Sequence, residues 1–337
     1  MGRPVLVTGG GGFVGSAVVR GLVGVLAEGP LVLPGGGEVA GVVATLRPGG
    51  SRERLAALAP TPAWSVAEVD LRNGAELDAL LDRVRPLAVV HTALDPAARE
   101  DAARDTLELL VAEPLARLAR GLARGGGTRL VHTGSAWVLP GGEALAEDAP
   151  AAPASPYARA KALEDRLLPE LANRAGVEWV NLRLFNLFGR WERPERLIPY
   201  LVERLASGRP ADLSSAGNVR DFSDVDAAAE AFVLALRAPP VAVDRLYHVG
   251  SGRGTSIARM ADLVAGVVGR PDLVRFERRA TTDAAMAVQI ADIGRARAHL
   301  GWSPPDDLDA RVRAAARWWS RRLGVAATAS SSGGDAP

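Results

Sequence analysis

Residues 5–16 read VLVTGGGGFVGS, a short apolar run followed by four glycines and by the start of a helical pattern that continues to Leu22. This order is typical of a strand, a glycine-rich turn and a helix. Gly10-x-Gly12-x-x-Gly15 fits the general dinucleotide-binding pattern, in which glycines let the backbone approach a pyrophosphate at the positive end of the helix. Four glycines could also form a flexible turn, but their place directly after the first strand favours phosphate binding.

The rest of the N-terminal half alternates apolar strands with helical segments. The later predicted strands are residues 38–46, 66–69, 87–93, 128–133 and 178–184. This rhythm predicts an α/β fold, a Rossmann-type doubly wound parallel sheet over residues 1–185, with ligands at the carboxyl ends of the strands. A Gly- and Pro-rich stretch at about residues 24–37 is predicted to be a surface insertion.

Beyond residue 185 the pattern changes to short strands and helices with Pro and Gly breaks. It predicts a smaller C-terminal α+β substrate domain, mainly residues 186–323, with some segments returning to the Rossmann core. Residues 324–337 are small and polar and are predicted to be disordered.

Composition excludes several classes of function. The 337 residues carry a net charge of +1 and no cysteine, which excludes disulfides, thiolate nucleophiles and Cys-type metal sites. Neither a basic stripe nor a membrane-length apolar run is visible, and the first residues lack a signal-peptide pattern. We therefore expect a soluble cytoplasmic protein with no nucleic-acid or membrane partner and no metal.

Residues 155–161 read SPYARAK and contain Lys161, the only lysine in a chain whose other basic side chains are arginine. Lys and Arg are not interchangeable, so a lone lysine suggests a chemical role. Tyr157 is one of three tyrosines, and at i, i+4 on a helix it faces Lys161. An ammonium beside a phenol favours the phenolate, so Tyr157 could exchange a proton near neutral pH. The alternative is a surface helix with an unrelated Tyr and Lys.

Other residues are predicted to border a cofactor. An acid at the end of the predicted strand at residues 38–46 would bind the ribose of NAD. Arg47 lies there instead and suits a 2′-phosphate, which favours NADP over NAD. A solvent-exposed loop arginine is the alternative. Asp70 and Leu71 follow the next strand, where an adenine ring could be held. The remaining predicted cofactor contacts flank the glycine turn or end the fourth strand: Thr8, Gly9, Phe13, Val14, Thr92 and Ala93.

Together these motifs resemble the extended short-chain dehydrogenase/reductase family, in the NAD-dependent epimerase/dehydratase group acting on nucleotide sugars, over residues 4–322. The matching pieces are Gly9-x-x-Gly12-x-x-Gly15, Ser135, the Tyr157/Lys161 pair, residues 183–186 with Gly189, and residues 300–304. The resemblance implies that Tyr157 is the acid/base, that Lys161 supports it and holds the nicotinamide ribose, that Ser135 orients the substrate oxygen and that Asn186 contacts the nucleotide-sugar diphosphate. It also implies a possible homodimer.

Residues 217–225 and 250–257 look similar to reductases of nucleotide-linked 4-keto-6-deoxyhexoses, such as the GDP-4-keto-6-deoxymannose reductases. That similarity implies substrate contacts by Arg220 and Arg279. The 4,6-dehydratases of the family carry an Asp-Glu pair beside the active-site hydroxyl. Here Ala136 and Trp137 follow Ser135, so dehydratase activity is not expected.

The sequence thus predicts an NAD(P)-dependent oxidoreductase that reduces a nucleotide-linked 4-keto-6-deoxyhexose with Tyr157 as the acid. Three alternatives stay open at this point. They are an epimerase with tightly held NAD, a reductase of a non-sugar carbonyl, and a catalytically silent protein that binds NADP or a sugar nucleotide.

Overall fold

The computed structural model describes residues 2–99, 104–213, 216–239, 245–276 and 287–325. Its strands are β1 (Arg3–Thr8), β2 (Leu31–Val32), β3 (Glu38–Leu46), β4 (Trp64–Glu68), β5 (Ala88–His91), β6 (Arg129–Ser135), β7 (Gly142–Leu145), β8 (Glu178–Leu184), β9 (Asn186–Phe188), β10 (Ala211–Leu213), β11 (Val219–Asp224), β12 (Leu246–Val249), β13 (Gly254–Ser256), β14 (Val274–Phe276) and β15 (Val288–Ala291). Its α-helices are α1 (Phe13–Glu28), α2 (Gly74–Val84), α3 (Arg104–Arg124), α4 (Pro156–Ala175), α5 (Leu197–Ala206), α6 (Val225–Arg237), α7 (Ile257–Val268) and α8 (Leu308–Arg322).

The main sheet runs in the order β12-β8-β6-β5-β1-β3-β4, and all neighbours in this order are parallel. The strand order reverses beside β1, between β3 and β5, and such a reversal opens a crevice at the carboxyl edge of a doubly wound sheet. The predicted α/β class and Rossmann-type sheet are confirmed.

Helices cover both faces of this sheet because alternate side chains of a buried strand point to opposite sides. Val5 and Val7 pack with α1 and α6, whereas Leu6 between them packs with α2, α3 and α4. Of the helices in the described ranges, none is both long and apolar enough to cross a bilayer.

The C-terminal half adds a second apolar core, formed mainly by α5, α7 and α8. A smaller sheet in the order β13-β11-β15-β7 connects this core to the main sheet. β9 pairs with the carboxyl end of β11. β9 begins only two residues after β8 ends, so the smaller sheet stands at the carboxyl edge of the main one. β12 returns to the main sheet beside β8.

The stretch predicted as a surface insertion at 24–37 is different in the structure. Helix α1 continues to Glu28, and Leu31 and Val32 form a strand antiparallel to the start of β3. Leu31 and Leu33 are buried in the core on the α1 face. The Gly and Pro residues therefore form the tight loops around a hairpin strand, whose apolar side chains complete the core.

We expect Leu31→Ala to lower the free energy of unfolding by about 2–5 kcal/mol, because it would leave a cavity beneath the sheet. Leu31 is 0% exposed, whereas its neighbour Val32 is 47% exposed and supplies the matched control. Val32→Ala should change the same quantity by less than about 0.5 kcal/mol. Urea unfolding of both variants measures the difference, and equal small losses would show that the hairpin is only a surface insertion.

Candidate active site

The turn between β1 and α1 is held tightly against the helix that follows it. Gly9 has a φ of 68°, and the N–H of Gly12 donates to the carbonyl oxygen of Gly9 at 2.8 Å. A Cβ atom on Gly15 would lie 2.2 Å from that same oxygen. Any side chain at position 15 would therefore push α1 away from the turn, which explains the third glycine of the motif.

The first turn of α1 can accept an anion. Gly12 precedes the helix without a capping side chain from the described part of the chain, and the first turn carries no acidic residue. Gly12 is exposed, and Phe13 and Val14 are partly exposed. The free N–H groups and the helix dipole therefore face solvent at this point, and they fit the pyrophosphate of a dinucleotide.

Three other predicted cofactor contacts lie against the same turn. The Thr92 hydroxyl donates to the carbonyl oxygen of Thr8 at 2.6 Å, and the Thr8 hydroxyl lies 2.6 Å from His91 Nδ1. A Cβ atom on Gly9 would lie 2.9 Å from Ala93 Cα. The ends of β1 and β5 thus meet directly under the turn, as parallel neighbours must.

The residues predicted to bind the adenosine part of the cofactor follow β3 and β4, at the carboxyl edge of the main sheet. Arg47 is exposed directly after β3. Asp70 is half-buried and accepts hydrogen bonds from the backbone N–H of Arg72 at 3.0 Å and from its guanidinium at 2.8 Å, and these bonds lower the pKa of Asp70. Leu71 is half-buried beside it. The Asp70 carboxylate is therefore already paired, whereas Arg47 is presented to solvent.

Helix α4 carries the Tyr157/Lys161 pair, and its start is well defined. The hydroxyl of Ser155 accepts from the N–H of Ala158 at 3.1 Å, and Pro156 occupies the first helical position. Both features are typical of helix starts. They place Tyr157, which is partly exposed, in the first turn and Lys161 one turn later on the same side.

Lys161 is 3% exposed and is anchored on two sides. Its Nζ donates to the carbonyl oxygen of Thr133 on β6 at 2.8 Å and lies 2.7 Å from Glu164 Oε2. Burial lowers the pKa of Lys161, but Glu164 and Tyr157 outweigh burial, so that its pKa is raised above the usual value. Lys161 is therefore an ammonium at neutral pH.

Ser135 ends the strand that anchors Lys161. It lies two residues after Thr133, is buried, and its hydroxyl accepts from the N–H of Trp137 at 3.3 Å. It pairs in register with Leu184 at the end of β8. β6 therefore brings the predicted serine and the Lys161 anchor to the same edge of the sheet.

The predicted substrate contacts have different surroundings. Asn186 on β9 is 7% exposed, and its Nδ2 has no hydrogen-bond partner among the described residues. Arg220 on β11 is part-buried and donates to the carbonyl oxygens of Val219 and Ala287. Arg279 lies outside the described residues. Asn186 thus keeps a buried donor for a ligand, whereas the backbone holds part of the Arg220 guanidinium.

Sequence reasoning missed two buried polar residues at this edge. Gln289 on β15 is 1% exposed and its Nε2 donates to the carbonyl oxygen of Ala136, the residue after Ser135, at 2.9 Å. No local signal could have found it, because the contact depends on the pairing of β15 with β7. Glu164 could have been found, since a carboxylate three residues after the lone lysine lies on the same helical face.

The chain is similar to known proteins over most of its length. The chain is 28% identical to dTDP-glucose 4,6-dehydratase of Neisseria meningitidis serogroup B over 94% of this chain and 93% of the relative. It is also 28% identical to UDP-glucose 4-epimerase of Mycolicibacterium smegmatis over 89% and 93% of the two chains.

Solved structures show the same fold. UDP-glucose 4-epimerase of Thermus thermophilus in complex with NAD has a TM-score of 0.75 and 26% identity, with 94% of this chain and 99% of that chain covered. dTDP-glucose 4,6-dehydratase of Bacillus anthracis in complex with NAD has a TM-score of 0.80 and 18% identity, with 96% and 98% covered. The model of the NAD dependent epimerase/dehydratase family matches residues 5–250, which is more than half of the sequence. The chain therefore belongs to the NAD dependent epimerase/dehydratase family.

Proposed function

We propose that this chain is an NAD(P)-dependent oxidoreductase of a nucleotide-linked sugar and that it reduces a 4-keto-6-deoxyhexose. One observation carries the proposal: β6 holds Lys161 through Thr133 and ends in Ser135, with Tyr157 one helical turn before the lysine. The relatives named above act on dTDP-glucose and UDP-glucose, so a nucleotide sugar is the substrate class that they support.

The chain's own residues have separate parts in this reduction. A bound nicotinamide cofactor would supply the hydride to the carbonyl carbon. Ser135 hydrogen-bonds the carbonyl oxygen, and Tyr157 gives that oxygen its proton as the negative charge develops there. Lys161, held as an ammonium by Glu164, stabilises the phenolate that Tyr157 leaves behind.

Two further observations bear on the type of reaction. Elimination of water needs an acid and a base of its own, and Ala136 and Trp137 beside Ser135 offer neither. Epimerisation is the second candidate, because several relatives are UDP-glucose 4-epimerases and that reaction would use the same three side chains. A reductase consumes one reduced cofactor in each turnover. An epimerase reduces its bound NAD and oxidises it again within the same turnover, so it consumes no cofactor.

The deciding assay mixes the protein with NADPH or NADH and a panel of nucleotide-linked 4-keto-6-deoxyhexoses, and separately with the 4-hydroxy sugars UDP-glucose and dTDP-glucose. Stoichiometric loss of reduced-nicotinamide absorbance with one sugar establishes the reductase. An altered sugar in the NMR spectrum without loss of absorbance, together with NAD released on denaturation, establishes the epimerase. Failure of every sugar in both readouts would overturn the proposal.

Tyr157→Phe should lower kcat by at least about a hundredfold, because it removes only the transferable proton. Binding of the cofactor, measured by calorimetry, should stay within about twofold. Tyr200→Phe is the control, since the Tyr200 hydroxyl bonds to the backbone of Asp212 and Tyr200 is not among the predicted site residues. A Tyr157→Phe enzyme with near-normal turnover would show that another group transfers the proton.

The preference for NADP is a second proposal, and it depends on Arg47. Arg47→Asp should weaken NADPH binding about tenfold or more and leave NADH binding unchanged or improved, because a charged hydrogen bond is replaced by repulsion of the 2′-phosphate. Dissociation constants of both cofactors measure this. Arg83→Asp, at an exposed position of α2, is the control. Equal effects on NADPH and NADH would remove the argument for NADP.

Asn186 is proposed to donate its Nδ2, which has no hydrogen-bond partner in the described part of the chain, to the substrate diphosphate. Asn186→Asp should raise KM for the nucleotide sugar about tenfold to a hundredfold, because it removes the donor and adds a like charge. The exposed Asn173→Asp on α4 is the matched control and should leave KM unchanged. If KM is unchanged in both variants, Asn186 does not contact the diphosphate.

A further inference from the structure

A buried group of charged and polar side chains lies behind Lys161, on the side away from solvent. Glu164 is 1% exposed and faces Lys161 with one oxygen. The same oxygen lies 3.4 Å from His132 Nε2, and the other lies 4.0 Å from His91 Nε2. On its other side, His91 Nδ1 lies 2.6 Å from the hydroxyl of Thr8, beneath the glycine turn. Helix α4, β6, β5 and β1 each contribute to this group.

Glu164 carries the negative charge that faces Lys161. Burial raises the pKa of Glu164, but Lys161 and then His132 outweigh burial and lower it to about 2. Burial, followed by His132, lowers the pKa of His91 to about 3, so this imidazole is neutral at neutral pH. Among the described residues, Glu164 is therefore the buried carboxylate within 3 Å of the ammonium.

The carboxylate decides whether the lysine can be charged at all. A lysine with 3% exposure loses most of its hydration, and such burial alone favours the neutral amine. The Thr133 carbonyl accepts one N–H, and Glu164 supplies the opposite charge. Of the three N–H groups of an ammonium, one remains for the Tyr157 side of the site.

Two imidazoles and a carboxylate are also a familiar ligand set for a divalent cation. Their ligand atoms lie within 4.8 Å of one another. Here, however, Nζ of Lys161 lies 2.7 Å from Glu164 Oε2, and His91 Nδ1 lies 2.6 Å from the Thr8 hydroxyl. A metal bound to Glu164 would therefore compete with the ammonium on which the proposed chemistry depends.

We propose that Glu164, which lies beside His132 and His91, is the positioning residue that keeps Lys161 an ammonium and aims it at Tyr157. This role rests on the proposed function of the Tyr157/Lys161 pair, and it adds a residue outside the serine, tyrosine and lysine. The groups that face the lysine are the Tyr157, Glu164 and Asp165 side chains of α4, the Thr133 carbonyl and His132 of β6, and His91 of β5.

The single lysine makes a direct measurement practical. Protein labelled with 13Cε-lysine gives one side-chain signal, whose shift reports whether Lys161 is charged. In the wild-type chain we expect a midpoint above the usual lysine value of about 10.4, because burial lowers the pKa of Lys161 but Glu164 and Tyr157 outweigh it. In Glu164→Gln the midpoint should fall by about two pH units or more, because the burial remains and the counter-charge is gone. The ammonium is then lost as the pH rises through the lowered midpoint.

Matched variants separate this role from a general effect on folding. Glu170→Gln is the same substitution on the same helix at a half-exposed position, and it should leave the Lys161 signal unchanged. Glu164→Asp restores a carboxylate and should recover part of the shift. If Glu164→Gln does not fold, Glu164→Asp decides, because its shorter side chain must still lower the midpoint measurably.

Three outcomes overturn the proposal. They are a wild-type midpoint below that of an unperturbed lysine, an unchanged midpoint in both Glu164→Gln and Glu164→Asp, and a stoichiometric metal in the purified protein whose chelation shifts the Lys161 signal. The NMR measurement needs no substrate, so failure of the proposed reaction leaves it intact. Where the enzyme is active, kcat/KM of Glu164→Gln relative to wild type should fall further as the pH rises past its lowered midpoint, whereas Tyr157→Phe should be inactive throughout.

Discussion

The close approach of α1 to the β1 turn is the constraint on which the rest of the structure depends. The helix can meet the turn because position 15 has no side chain, and a Cβ there would stand 2.2 Å from the Gly9 oxygen. This contact lies at the point where the strand order of the main sheet reverses. Beneath the turn, Thr8 and Thr92 are hydrogen-bonded and Ala93 lies against Gly9, at the ends of two neighbouring strands. An anion site and the floor beneath it are thus formed by one backbone arrangement.

The chemistry is placed by a second device, the anchoring of α4 to β6. Lys161 donates to the Thr133 carbonyl of β6, the strand that ends in Ser135. This bond holds the helix at a fixed position relative to the serine. The Ser155 cap fixes where the helix begins and therefore where Tyr157 stands. A catalytic group on a regular element, locked by buried contacts, holds its geometry better than one on a loop.

The sequence predicted the sheet well because periodicity and glycine spacing are local signals. β3 and β8 have the predicted bounds, and the alternation of Val5, Leu6 and Val7 follows directly from burial on two faces. The hairpin at Leu31 was missed because its glycines and prolines signal turns without revealing that the residues between them reach the core. Gln289 was beyond reach because a contact between strands distant in the chain leaves no local pattern. Glu164 was visible at i+3, but burial of its charge could be known only from the packing of β5 and β6 against the helix.

The placement of the one lysine has a consequence for the surface of the molecule. Every other basic side chain is an arginine, and Lys161 is 3% exposed, so the folded protein presents essentially no side-chain amine to solvent. Acetyl donors, reducing sugars and aldehydes that attack free amines would find only the chain's amino terminus. Guanidinium groups stay charged and react with few of these reagents. The protein thus keeps its only side-chain amine inside the site.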